Sequence, residues 1–168
     1  GDSGDEKQGK SGSSCDFETN LCEVLPEFNL QPGWIRRNGQ SGMGPPYSDH
    51  NGKDSAYFLS LSSEMQSSSA ALRTSVFLPT DEEHPCQIRF HYWVSQMSGT
   101  LTVGLQKRSE DTVTNIWQVP GELRNQWNVN TITINSTEKY EVIFSGMLET
   151  QRQGENVAID DITFSEGC

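Results

Sequence analysis

The alternation of apolar and polar residues along several short segments is the feature that most limits what this chain can fold into. In "QIRFHYWV", residues 87–94, apolar side chains recur at every second position from Ile88 to Val94, and Arg89 and His91 stand between them. Other short, β-branched segments are "GTLTVGLQKR", "NVNTITINS", "YEVIFSGML" and "VAIDDITF". A period of two places alternate side chains on opposite faces of a strand. The pattern predicts a chain built from β-strands.

Turn sequences separate these segments at short intervals: "SGM", "PTDEEHP", "QMSG", "KRSED" and "VPGEL". This spacing is typical of antiparallel sandwiches. Apolar residues do not recur at the three- and four-residue intervals that an amphipathic helix needs. With 168 residues, the chain has the length of one ordinary domain. We therefore predict an all-β fold, a two-sheet antiparallel jelly-roll-like β-sandwich.

The charge balance limits the classes of partner. The chain has 23 acidic and 12 basic residues, for a formal net charge of −11. Such a field repels phosphate backbones and anionic lipid, which argues against nucleic acid and membrane surfaces as partners. No apolar run approaches the ~18 residues of a membrane span, so we expect no membrane insertion by this segment. Residues 1–14 are low in complexity, and we expect them to be a flexible linker or an expression remnant.

The four cysteines, Cys15, Cys22, Cys86 and Cys168, are too widely spaced for a zinc-binding CxxC pattern. They allow three disulfide pairings, which the spacing does not decide, although a Cys15–Cys22 bridge would close a short local loop. Disulfides form in oxidising compartments. The sequon at Asn135 agrees, because N-glycosylation also belongs to the secretory route. We expect an extracellular location, as a secreted protein or the ectodomain of a membrane-anchored one.

Eight blocks of sequence, in order over residues 15–168, together resemble the MAM domain, the module shared by meprins, neuropilins and receptor-type tyrosine phosphatases. The blocks are "CDFETNLC", "GWIRRNG", "MGPPYSDHNGKDSAYFLSLSS", "LRTSVFLPTDEEHPCQIRFHYWV", "SGTLTVGL", "IWQVPGELRNQWNVNTITI", "YEVIFSGML" and "VAIDDITFSEGC". The resemblance implies one MAM domain over 15–168 with a jelly-roll-like β-sandwich fold. It also implies the disulfide pairs Cys15–Cys22 and Cys86–Cys168.

Acidic residues near the two ends of the domain are candidate metal ligands. The MAM family resembles other jelly-roll modules in which a Glu of "FE" and an Asp of "DD" hold a structural cation, and hard carboxylate oxygens suit Ca²⁺. Carried onto this chain, the resemblance implicates Glu18 and Asp160, with Asp16, Asp54 and Asp161 as further candidates. Asp160 shares strand parity with Ile162 and Phe164, so we expect its side chain to point inward. The alternative is that Asp160 or Asp161 accepts hydrogen bonds from a turn and binds no metal.

Catalytic patterns are weak, and we predict that the chain is not an enzyme. His50, His84 and His91 lie outside any GxSxG or HExxH pattern and are expected to be solvated or turn histidines. Assigning all four cysteines to bridges leaves no thiolate nucleophile. A glycosidase pair of Glu18 and Asp160 is geometrically conceivable, and an independent hydrolase stays the third hypothesis.

The function that these features favour is a non-catalytic extracellular protein-interaction module that supports cell adhesion, oligomerisation or receptor and subunit contacts. Homophilic self-association is one form of such contact. Trp93 lies on the polar face of its segment and is a candidate surface anchor for binding, whereas Trp34, Trp117 and Trp127 are expected to pack between the sheets. The alternative is a carbohydrate-binding jelly-roll module, which would need an exposed aromatic platform.

Overall fold

The computed structural model describes residues 14–18, 29–30, 34–62, 69–95, 99–149 and 155–168. The strands in these ranges are β1 (Ser14–Cys15), β2 (Asn29–Leu30), β3 (Ile35–Asn38), β4 (Tyr57–Ser62), β5 (Ser69–Arg73), β6 (Cys86–Val94), β7 (Gly99–Lys107), β8 (Thr114–Gln118), β9 (Asn128–Ile134), β10 (Tyr140–Leu148) and β11 (Asn156–Phe164). The described residues contain no helix, and hence none that could cross a membrane.

The strands form two antiparallel sheets that face each other. Sheet A has the order β3-β4-β11-β6-β9, with β1 pairing beside β11, and sheet B has the order β2-β5-β10-β7-β8. Alternate side chains from both sheets meet in one core, with Phe90 of β6 against Phe144 of β10 in an edge-to-face contact. Ile88, Tyr92 and Val94 also point into this core. The predicted all-β jelly-roll-like sandwich is confirmed, as is the predicted facing of β6.

Strand β11 is the central strand of sheet A, and two short strands share one of its edges. β4 pairs with it up to Ile159, and β1 pairs with it from Ile162 onward. Between them the register to β6 shifts, and Asp161 takes a left-handed conformation with φ of 51°. This β-bulge adds a residue, so that Ile159 and Ile162 both face the core. Asp160 therefore lies on the outer face of sheet A, and the prediction that it points inward was wrong.

A buried guanidinium holds the segment between β3 and β4 over the outer face of sheet A. Arg37 is almost fully buried. It donates to the carbonyls of Pro45 and Pro46 and to the hydroxyl of Ser41, at 3.1 to 3.3 Å. Its guanidinium carbon lies 4.9 Å from the ring centroid of Phe58. Burial lowers the pKa of Arg37 to about 10, so the side chain keeps its charge at neutral pH and binds these acceptors as a cation.

The outer face of sheet A is also covered by an aromatic cluster. Trp93, Phe58 and Ala158 are buried there, and Trp127 packs against them while its indole nitrogen donates to the Ser48 carbonyl at 2.9 Å. Trp93 is 5% exposed. The prediction of Trp93 as a surface anchor was wrong, because the segments carrying Ser48 and Trp127 fold over the face on which it lies.

The other tryptophans divide between the main core and this cluster. Trp34 is buried in the main core. Trp117 packs against the same core, where it contacts Phe90 and Tyr92. These two positions agree with the predicted packing between the sheets. Trp127 does not, because it lies on the outer face of sheet A.

A disulfide ties the C-terminus to sheet A. Cys86, at the start of β6, is bonded to Cys168 with an S–S distance of 2.08 Å, as the resemblance implies. Cys15 is buried and disulfide-bonded. Cys22 lies outside the described residues, as do residues 1–13 of the expected linker, so the Cys15–Cys22 pair stays a prediction. Asn135, in the turn after β9, is exposed, and its glycosylation also stays a prediction.

The close approach of Trp34 to Gly146 of β10 gives a first prediction. A Cβ atom added at Gly146 would lie 3.0 Å from Cζ2 of Trp34. We expect Gly146→Val to lower the free energy of unfolding by about 1 to 3 kcal/mol, because the larger side chain must displace the buried indole or the strand. Urea denaturation measures this change. The control is Gly121→Val, since an added Cβ there meets nothing within 4 Å. Equal urea midpoints for both variants would contradict the prediction.

The hydrogen bonds of Arg37 give a second prediction. Arg37→Lys replaces a planar group that reaches several acceptors by a single ammonium, so buried carbonyls lose partners. We expect a loss of about 2 kcal/mol in the free energy of unfolding. Arg89→Lys, at an exposed position of β6, is the matched control and should stay within about 0.5 kcal/mol of the parent. Equal losses in the two variants would show that Arg37 does not act through these contacts.

Candidate functional site

A polar cavity of about 480 Å³ lies beside the β11 bulge, where β4 ends and β1 begins along the same edge. Its walls come from the N-terminal segment, the segment before β4 and the bulge. The carboxylates that line it are Asp16, Glu18, Asp49, Asp160 and Asp161. The structure thus brings four of the five predicted ligands to one cavity. Asp54 does not line it: this residue is exposed, and its carbonyl accepts a hydrogen bond from Gly39 at 3.0 Å.

Glu18 is held at the rim of this cavity by backbone contacts. Both of its carboxylate oxygens lie 3.2 Å from the backbone nitrogen of Tyr57, the first residue of β4. Arg36 donates to the carbonyls of Phe17 and Glu18 at 2.8 and 2.6 Å. Arg36 also stacks on the ring of Tyr57, 3.8 Å from its centroid. The N-terminal segment is therefore fastened to the start of β4. Asp16, which is exposed, accepts the N–H of Glu18 at 3.1 Å.

Asp160 is the buried carboxylate of the cavity, with 1% of its surface exposed. Its Oδ2 lies 2.8 Å from Nδ1 of His50 and 3.5 Å from the backbone nitrogen of His50. Its Oδ1 is buried and has no hydrogen-bond partner among the residues that the structure describes. Burial raises the pKa of Asp160 to about 7, against the opposing effect of His50. A buried carboxylate oxygen without a partner is costly, so this atom is an available ligand for a cation.

Asp49 builds the turn that places His50 over the bulge. Its Oδ1 accepts the backbone N–H groups of Asn51 and Lys53 at 3.0 and 2.9 Å. The N–H of Gly52, at φ of 85°, donates to the Asp49 carbonyl. Asp is favoured at the start of such turns and Gly where φ is positive. Asp49 was absent from the predicted ligands, although the "DHNG" sequence carries this turn signal.

His50 and His91 form a stacked pair next to the two aspartates of the bulge. Their ring centroids are 3.9 Å apart and the rings are inclined by 26°. His91 of β6 lies directly opposite Asp160 in the strand register. His50 Nε2 lies 3.5 Å from a carboxylate oxygen of Asp161. Burial and the neighbouring His50 lower the pKa of His91.

The expectation of solvated or turn histidines was therefore wrong for His91, which is half-buried in a strand. It was incomplete for His50, a turn residue that is largely buried. His84 is exposed in a turn, with its ring 3.5 Å from Asp81, as expected. Nothing in the spacing of residues 50 and 91 indicates that their rings meet.

Two sets of donor atoms lie within 4.8 Å of one another among the described residues. One set comes from Asp49, His50 and Asp160, and the other from His50, His91 and Asp161. Carboxylate oxygens suit Ca²⁺, and imidazoles suit transition metals. The cavity therefore offers oxygen donors around Glu18, and ring nitrogens lie at its edge, where His50 of the lining meets His91.

Solved structures with the same fold include bacterial adhesin and carbohydrate-binding domains. The K1 cleaved adhesin domain of Lys-gingipain from Porphyromonas gingivalis W83 superposes with a TM-score of 0.54 at 13% identity, over 94% of this chain and 99% of that one. The CBM22-1 xylan-binding domain of Xyn10C from Paenibacillus barcinonensis gives a TM-score of 0.51 at 10% identity, over 94% and 97%. At these identities the similarity shows the fold alone.

Sequence comparison shows the family. The chain is 24% identical over 168 residues to MAM domain-containing glycosylphosphatidylinositol anchor protein 1 of Rattus norvegicus, an alignment that covers 94% of this chain. The chain spans only 17% of the length of that relative. Residues 15–168 match the family described as MAM domain, meprin/A5/mu. On this match the chain belongs to the MAM family of non-catalytic modules.

Proposed function

We propose that this domain is an extracellular protein-contact module that associates through the outer face of sheet B. The observation that carries the proposal is the difference between the two outer faces. The outer face of sheet A is covered by the Trp93 cluster and by the segment that Arg37 holds. In the part of the chain that the structure describes, the centre of the outer face of sheet B keeps accessible surface, and we call this area the open face.

The open face consists of small, uncharged side chains and one methionine. Its residues are Ala71, Thr100, Thr102, Ser145 and Met147. The strand register places Ser145 between Thr102 and Ala71, and Met147 beside Thr100. Met147 is 49% exposed. The nearest charged groups in the register, Arg73 and Glu141, form an ion pair with each other.

These properties suit contact between proteins. Two copies with a formal charge of −11 repel each other where carboxylates face carboxylates. A surface without formal charge avoids that repulsion, and the centres of protein interfaces are depleted in charged residues and enriched in Met. We therefore take self-association through the open face as the form of contact to test first.

An extracellular setting is supported by independent features. The Cys86–Cys168 disulfide belongs to oxidising compartments. Asn135 of the sequon is exposed and accessible to a glycosyltransferase. The rat relative is named as a glycosylphosphatidylinositol anchor protein. These observations favour a secreted protein or a membrane-anchored ectodomain.

Carbohydrate binding is the alternative, and it finds less support. Sugar recognition on a sheet face would need an exposed aromatic platform, and none of the five residues of the open face is aromatic. Tyr47, which is 65% exposed, belongs to the segment over the other sheet. A glycan array that includes xylan fragments tests this alternative directly, and specific binding there would replace the protein-contact proposal.

Self-association predicts a concentration-dependent dimer in sedimentation velocity. We expect Thr102→Glu to weaken the dimer at least about tenfold, because it places a carboxylate at the centre of an uncharged contact. The control is Thr131→Glu, which adds the same charge to an exposed position of β9 on sheet A. A parent chain that stays monomeric at all concentrations, or equal effects of the two variants, would contradict association through the open face.

We also propose that the Glu18 side of the cavity binds a structural Ca²⁺. The support is the partnerless Oδ1 of Asp160, with Glu18 and Asp49 lining the same cavity. Asp16 and Asp161 are the additional oxygen donors there. Such an ion would fasten the N-terminal segment to the bulge and would neutralise part of the acidic cluster.

Calcium binding predicts a rise in thermal stability. An ion that binds only the folded state contributes about 2.7 kcal/mol at one hundred times its Kd, so we expect the melting temperature to rise by roughly 5 °C over a chelator-treated sample. Glu18→Gln should abolish most of this rise, and Asp54→Asn should keep it, because Asp54 lies outside the cavity. Equal melting temperatures with Ca²⁺ and with chelator would contradict the site.

A further inference from the structure

A cluster at the edge of the cavity combines three donor groups from three separate segments. His50 comes from the segment before β4, His91 from the middle of β6 and Asp161 from the bulge of β11. One ring nitrogen of each histidine and one carboxylate oxygen of Asp161 lie within 4.8 Å of one another.

The hydrogen bond between His50 and Asp160 determines whether Nε2, on the other side of the His50 ring, carries a proton or a lone pair. Asp160 is buried, and its Oδ2 lies 2.8 Å from Nδ1 of His50; an ionised Asp160 can only accept in this contact, which places a proton on Nδ1. A neutral ring with its proton on Nδ1 carries a lone pair on Nε2. That lone pair lies 3.5 Å from a carboxylate oxygen of Asp161. Two acceptors thus face each other, which is favourable only when a cation lies between them.

One ring nitrogen of His91 also lacks a partner: among the described residues, its buried Nδ1 has no hydrogen bond. The ring is stacked on His50, which brings nitrogen atoms of the two rings close together. Neutral imidazole nitrogens of this kind are common metal ligands.

We propose that His50, His91 and Asp161 form a binding site for a zinc-class divalent cation. Two imidazoles and one carboxylate are a ligand set that Zn²⁺ accepts and that Ca²⁺ does not favour. A carboxylate that accepts the second ring N–H of a metal-binding histidine is the usual support of such ligands, and Asp160 makes this contact with His50. Tetrahedral Zn²⁺ holds its ligand atoms about 3.3 Å apart, so binding would require the donor atoms, now within 4.8 Å of one another, to move closer. It would also require the two imidazole rings to turn out of their stacked arrangement, so that their in-plane lone pairs converge on the ion.

The site shares Asp161 with the calcium proposal but none of its other ligands, and it does not depend on calcium binding. Calcium would use Oδ1 of Asp160 and the oxygens on the Glu18 side, whereas zinc would use ring nitrogens on the other side of His50. A proton is the competing occupant, because a doubly protonated His50 would donate to both Asp160 and Asp161. In that case His91 would not act as a ligand. The effect of substituting His91 therefore distinguishes a bound zinc ion from a proton.

Zinc titration of the complete, tag-free chain against a chromogenic chelator tests the proposal. The chain has only three histidines, so His84→Gln, at an exposed turn, is a matched control. We expect one Zn²⁺ per chain, bound at least about tenfold more weakly after His91→Gln and unchanged after His84→Gln. Asp161→Asn is the second variant, since Asn tolerates the left-handed conformation at this position, and it should also weaken binding. Circular-dichroism melting verifies that each variant folds.

Two further measurements complete the test. Co²⁺ in place of Zn²⁺ should give the visible absorption of a nitrogen-ligated, low-coordinate ion, and this signal should be lost in His91→Gln. Glu18→Gln should keep its zinc affinity, so that failure of the calcium site and failure of the zinc site are distinguishable. The proposal is overturned if no saturable zinc binding occurs, or if His91→Gln and His84→Gln bind zinc alike. If zinc does not bind and NMR spectra show that both ring nitrogens of His50 are protonated, a proton and not a metal ion lies between His50 and Asp161.

Discussion

The bulge in β11 is the constraint on which the polar site depends. β11 is paired with β6 along one edge and with β4 and then β1 along the other. One extra residue between Ile159 and Ile162 keeps both of these side chains in the core and leaves two aspartates that the core cannot take. Asp160 is thereby placed opposite His91, outside the main core but out of contact with water. A change of register in one strand thus creates both the acidic cavity and its buried carboxylate.

The two outer faces of the sandwich differ in exposure because different lengths of chain cover them. The long connection from β3 to β4 lies over sheet A, where Arg37 satisfies its carbonyls and Trp127 packs beneath it. This cover carries Asp49 and His50 to the bulge. Most of sheet B has no such cover among the described residues, although Val113 approaches Gly104 closely near one end. The asymmetry places the proposed cation sites beside sheet A and the proposed protein contact on sheet B.

Much of the fold could be predicted from the sequence, because period-two alternation is a local property of each strand. The facing of β6 from Ile88 to Val94 follows directly from it. The prediction from strand parity was wrong at Asp160, because a bulge changes the register without any recognisable pattern in the sequence. Trp93 was correctly placed on the polar side of β6, but its burial depends on covering segments that are distant in sequence.

The site could be predicted only in part. The resemblance led to Glu18 and Asp160, which line one cavity in the structure. Asp54 was named as a further candidate ligand, and the turn before β4 places it in solvent instead. The contact of His50 with His91 was missed, because ring stacking between residues 41 positions apart depends on tertiary packing. The pairing of β1 beside the bulge has a mechanical consequence: tension applied at Ser14 and Cys168 would load the two-residue β1–β11 pairing first. The sandwich core would be shielded from that load, and the N-terminal wall of the cavity would be the part that yields.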